Sequence, residues 1–237
     1  EWGRDAQRVF VAELAKVSPE TKVVKELWAK LGETDFTSYI TAIMGLKPDF
    51  VFGAIAGKDN ETFLQQAKGA GFFQRVTYPG VFLPVTELMQ QRKTLPRGIV
   101  GLNRCPFFAH MDNPIMKKYV ALYQAKFGKD DYPDDFACMY FDSLNALDQI
   151  ITKVGTVETE AVRKAMTGAS IETCRGKLKF WDCNNQLDCP SYLGTVVDVP
   201  EYPFPIFDPK SLIMVQGRDC WLPATCEEVR KIQKKRT

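Results

Sequence analysis

One histidine stands among 237 residues, and its scarcity excludes a good deal. Histidine is the side chain that titrates unaided near neutral pH, so a chain with His110 alone has few candidates for acid–base chemistry. The signatures GxSxG, HExxH, GxGxxG and Walker A are absent as well,. Charge of one sign is also missing. The 31 basic and 29 acidic residues leave a net charge of +2, whereas a phosphate-binding surface normally leaves a marked basic excess,. Nucleic acid is therefore not an expected partner, and the KKR run at 234–236 reads as a solvated tail. No apolar run approaches the ~18 residues of a membrane-spanning helix. What is present, 45% apolar and 25% charged residues, is the composition of a soluble globular protein with one large or two small domains,.

Cysteine, by contrast, is plentiful. Five of the seven (Cys174, Cys183, Cys189, Cys220 and Cys226) fall late in the chain among Pro, Asn and Asp. That pattern points to disulfides and an oxidising compartment, with free thiols and a metal site as alternatives. The lack of any CxxC pair and the distance of His110 in sequence count against metal, so none is expected. Seven is odd, so at least one Cys stays free, pairs between chains, or has its partner outside this sequence.

Helical and extended patterns alternate through the first hundred residues. Asp5 is expected to cap a helix with Phe10, Leu14 and Val17 on its apolar face, and KVVKELW (22–28) reads as a strand. Asp35 is the next capping candidate, followed by Phe36, Ile40, Ile43 and Met44 at helical spacing. Pro48 stops that helix, because the residue before Pro is pushed out of the α region. The continuous run at 50–56 reads as a parallel strand covered on both faces. Asp59 or Asn60 then caps a helix carrying Phe63, Leu64 and Ala67. Strands are expected at 75–82 and 98–102, with a short helix at 87–91 between them. This is a βαβ series, so the expected class is α/β with a mainly parallel sheet flanked by helices. From 103–106 the texture changes to helices at 113–127, 134–154 and 158–166, then strands in CRGKLKFWD, SYLGTVVDV and SLIMV.

No constellation of catalytic residues emerges, so the chain reads as a non-enzyme without cofactor. The adjacent acids Asp130-Asp131 and Asp134-Asp135 read as solvated or capping residues, and no base is nominated for Cys105 or Cys138. What remains is the loop Gly53-Ala54-Ile55-Ala56-Gly57. In an open α/β sheet ligands bind where strands lead into helices. Small side chains let a ligand approach the backbone there, and the next helix offers free N–H groups. A tight strand-to-helix turn is the competing reading.

Several landmarks in order carry a family resemblance. EWGRDAQRVF, LGETDFTSYITAIMGLKPDFVF, DNETFLQQAKGAGF, NPIMKKYVALYQAKFGKDDYPDDFACMYFDSLNAL and GKLKFWDCNNQ together resemble the C-terminal two-thirds of a type I periplasmic substrate-binding protein. These are the extracellular ligand-binding receptors of ABC importers, similar to the leucine/isoleucine/valine-binding protein. The resemblance implies two Rossmann-like α/β lobes. Residues 1–103 would form lobe two without its first strand, 104–173 the helices returning to lobe one, and 174–237 the late strands crossing between lobes with a Cys-rich tail. On that template the N-terminal lobe is largely missing, as in a truncated or processed chain.

It also implies a small-molecule ligand closed between lobes, delivery to ABC permease subunits, and a periplasmic or extracellular location. The ligand-binding residues so implied are Trp2, the loop Gly53, Ala54, Ile55, Ala56 and Gly57, and Tyr78, Val81 and Phe82. The family's acid for an α-ammonium group is missing near Val81 and Phe82, and Glu87 falls several residues late. Burying an unpaired ammonium is costly, so an organic acid, an aromatic compound or an amide is expected before an α-amino acid. A ligand-sensing regulator of the same fold is the alternative function.

Overall fold

The computed structural model describes residues 2–220 and 225–234, without the side chains of Val81, Gln233 and Lys234; the basic run at 234–236 lies outside the described side chains. In chain order the elements are α1 (Trp2–Val17), α2 (Thr37–Leu46), α3 (Gly57–Gly69), β1 (Pro79–Phe82), α4 (Val85–Gln90) and β2 (Val100–Asn103), then α5 (Pro114–Phe127), α6 (Asp135–Val154) and α7 (Thr159–Met166). Strands β3 (Ser170–Thr173), β4 (Gly176–Lys179), β5 (Ser191–Val197), β6 (Ile206–Phe207) and β7 (Ile213–Val215) follow, and α8 (Cys226–Lys234) comes last. They form two compact units. One comprises Glu1–Leu83, Glu87–Leu102 and Gly194–Asp208; the other comprises Pro84–Thr86, Asn103–Leu193 and Pro209–Thr237.

In the first unit β1 pairs in parallel with β2, Pro79 opposite Val100 and Phe82 opposite Leu102. The run at 50–53 adds a third parallel line. Phe50 bridges Thr77, and the amides of Val51 and Gly53 donate to the carbonyls of Thr77 (2.9 Å) and Pro79 (3.3 Å). On the far side β5 hydrogen-bonds next to β2, and β6 pairs antiparallel with β5. This is the mixed α/β class with parallel strands at its centre. Edge-to-face aromatic contacts build the core: Phe36 on Phe63, Phe63 on Phe72 and Phe72 on Tyr78, with centroids 5.7, 5.7 and 6.2 Å apart,.

Local expectations fail at three places here. KVVKELW forms no ladder or bridge among the described residues. Its β-branched residues favour an extended chain, but a strand exists only through a partner backbone. Asp5 lies inside α1, which already begins at Trp2. Neither Asp59 nor Asn60 caps α3: the helix starts at Gly57 after Ala56, with no side-chain cap. Asp59 instead accepts the Gly32 amide (2.9 Å), and buried Asn60 donates to Glu87 (3.3 Å). Asp35 accepts the Thr37 amide (2.9 Å) from one residue before the N-cap position, which Phe36 holds, and α2 stops where Lys47 turns left-handed (φ 50°) before Pro48.

In the second unit capping chemistry sets the helices. Asn113 accepts the Ile115 amide ahead of α5, with Pro114 at the first helical position,. Asp134 accepts the amides of Phe136 and Ala137 ahead of α6, and Glu158 does the same for Glu160 and Ala161 ahead of α7,. Gly155 closes α6 at φ 72°,. The core packs Ala146 and Ile150 of α6 against Ile171 and Phe180, with Val162 and Met166 of α7 over them. Strand β3, which the sequence reading left unassigned, pairs antiparallel with β4.

Candidate ligand-binding site

The first unit holds a groove of about 1140 Å³ lined along one side by Trp2, Phe10 and Leu14 of α1 and along the other by the run 48–56. Residues 20–31 line it too, with Tyr78 and Phe63 also contributing to its lining. The amphipathic pattern of α1 explains the first wall: Phe10 stacks flat on Phe52 with centroids 4.0 Å apart and meets Phe50 edge-on. Within the second wall Gly53 is glycine for a steric reason. A Cβ on Gly53 would lie 1.8 Å from the Tyr78 hydroxyl oxygen, so only glycine fits. A Cβ on Gly3 would come within 3.1 Å of the Ala54 carbonyl, so α1 runs close against this loop.

Beneath Gly53 lies the most informative polar group. Tyr78 is 3% exposed, and its hydroxyl has no hydrogen-bond partner among the described residues. Burial alone pushes its pKa well above that of an ordinary tyrosine, so it is a neutral donor at any physiological pH. An orphaned buried hydroxyl costs free energy until something accepts from it. Above it Trp2 is 49% exposed at the groove, and the uncapped start of α3 follows the loop.

Of the residues expected from sequence, Trp2, Gly53, Ala54, Ile55, Ala56 and Tyr78 line this one groove. Gly57 is adjacent at φ 61° but does not line it. Phe82 ends β1 opposite Leu102, away from the groove lining, and the side chain of Val81 is outside the described residues. Sequence reasoning missed Phe10 and Phe52 as groove walls, and Trp28, over which the Arg4 guanidinium sits at 4.5 Å. Helical spacing marked Phe10 as apolar, but only the fold brings it to Phe52.

Acids near the groove are mostly engaged. Glu26 accepts from Gln7 (2.7 Å), Glu20 from Ser18 (2.5 Å) and Asp59 from Gly32 (2.9 Å), while Asp49 is solvent-exposed. Glu87 lies outside the lining and accepts from Asn60 and Gln91.

A family model described as periplasmic binding protein matches residues 1–200. The chain belongs to this periplasmic binding protein family. No curated protein matches the sequence. Among solved structures, this family member is similar to an amino acid ABC transporter substrate-binding protein from Pseudomonas fluorescens, with TM-score 0.74 and 17% identity over 90% of this chain and 55% of that one. A leucine-, isoleucine-, valine-, threonine- and alanine-binding protein from Brucella ovis gives TM-score 0.71 and 20% identity over 94% and 57%. A solute-binding protein from R. palustris in complex with benzoate gives 0.65 and 20% over 86% and 55%. The chain thus spans a little over half the length of these structures. Among the described residues no helix is long and apolar enough to cross a membrane.

Proposed function

We propose that this periplasmic binding protein is an extracytoplasmic solute receptor of an ABC importer, with residues 1–103 contributing one wall of its ligand cleft. The Gly53–Ala56 loop and Trp2 would pack on a small organic molecule delivered to a membrane permease. The observation that carries this reading is the groove of the first unit, where the exposed Trp2 indole and the small-residue loop Gly53–Ala56 line one space. A family relative's benzoate complex is consistent with such a ligand. The Cys183–Cys226 disulfide supports an oxidising compartment over that of a cytoplasmic regulator,.

The ligand we favour is an aromatic or other organic acid, or an amide. A flat apolar body suits the exposed Trp2 indole,. An α-ammonium group finds no buried, unengaged acid at the groove.

A thermal-shift screen of carboxylic acids, amides and amino acids tests the ligand class. Stabilisation by aromatic acids or amides is expected; stabilisation by leucine and by none of these overturns it.

A further inference from the structure

Three cysteines far apart in sequence meet inside the second unit. Cys105 follows β2, Cys138 lies on α6 and Cys174 sits in the turn between β3 and β4. All three are 0% exposed, and their sulfurs lie within 4.8 Å of one another, those of Cys105 and Cys174 at 3.9 Å. The backbone at two corners is pinned: the Cys105 amide donates to Asn103 (2.9 Å) and the Cys174 amide to Asp142 (2.7 Å).

We propose that Cys105 and Cys174 are a disulfide-forming pair, oxidised in the mature protein, with Cys138 kept beside them as the residual thiol. A disulfide needs its sulfurs at about 2.0 Å, so the pair has to close from 3.9 Å,. Cys183 and Cys226 of the same unit are bonded across 43 residues, which fits an oxidising compartment,. The chemistry of the pocket also separates this reading from a metal site. Burial pushes the Cys105 thiol up, which disfavours the thiolates that metals need, and a trithiolate would bury net negative charge,. The Arg175 guanidinium, which acts on the Cys105 thiol, is already engaged with Asp142 at 3.0 Å. A disulfide beside a neutral thiol buries none.

The reaction balances by exchange with an external disulfide, RSSR. During folding, while the site is still open, the Cys105 thiolate attacks RSSR and releases one thiolate. The Cys174 thiolate then attacks the Cys105 sulfur of the mixed disulfide and releases the second, each leaving group taking up a proton. Two thiols are oxidised and RSSR is reduced to two RSH. Packing then seals the bond.

The test is peptide mapping of the full chain after refolding in oxidised and reduced glutathione. The protein is denatured with an alkylating agent and no reductant, then digested. The proposal expects a linked peptide pair containing Cys105 and Cys174, and Cys138 alkylated. In Cys174→Ser the link should move to Cys105 and Cys138. Alkylation of all three in the wild type, a dominant link through Cys138, or protection of all three until a chelator removes a bound metal each overturn it.

Discussion

Asp135 stands at the first position of α6 with its carboxyl buried. Burial, and after it the charge of Asp134, pushes its pKa from 3.8 up to about 7. Between those values the folded state keeps a proton that the unfolded state has lost, so stability falls as pH rises from about 4 to 7 and levels off above. At ~1.4 kcal/mol per unit, the loss is about 4 kcal/mol at most. Asp135→Asn should therefore stabilise the protein at pH 8 by at least ~2 kcal/mol more than at pH 4, read by urea melts; an equal effect at both contradicts it. The sequence made the neighbouring acids look alike, as capping or solvated residues. Asp134 does cap, but nothing local reveals that Asp135 faces inward. Gly53 gives a second test at this scale. Gly53→Ala drives a methyl into the Tyr78 hydroxyl and should cost about 1–3 kcal/mol, with part of it recovered in the double variant with Tyr78→Phe,. Independent additive costs in the thermal melts would refute this.

At the scale of elements, Asp142 ties α6 to the β3–β4 turn, accepting from the Cys174 amide and from the Arg175 guanidinium at 3.0 Å with both side chains sealed from solvent. Removing one partner leaves a buried charge, so Arg175→Met should cost about 3–5 kcal/mol while Arg163→Met, on the exposed Glu160 pair, costs under about 1,. Comparable chemical denaturation midpoints for the two variants would contradict that. Elements whose signals are local were legible in the sequence. Asn113-Pro114, Asp134 and Glu158 announce α5, α6 and α7 because a cap acts within three residues. KVVKELW reads as a strand yet forms none, and Ser170–Thr173 gives no local strand signal yet forms one, because a strand is decided by its partner. Gly53–Ala56 was legible as a loop of small residues, while the Phe10–Phe52 stack and the cysteine triad join residues 33 and more apart.

For the molecule as a whole, apolar side chains stay exposed along α6, with Tyr140 at 73% and Leu144 at 70%. Contiguous apolar surface of this kind promotes association. Tyr140→Lys with Leu144→Lys should lower the mass seen in sedimentation at high concentration and leave unfolding stability within ~0.5 kcal/mol; unchanged association would show that this face is not responsible. The most direct test of the account is calorimetric titration of benzoate-class acids and of leucine into the full chain and its Trp2→Ala variant. The account predicts that an aromatic acid binds, that Trp2→Ala weakens it about tenfold or more, a loss of ~1.4 kcal/mol, and that leucine does not compete. Binding of leucine alone, or affinity unchanged by the loss of Trp2, would contradict it.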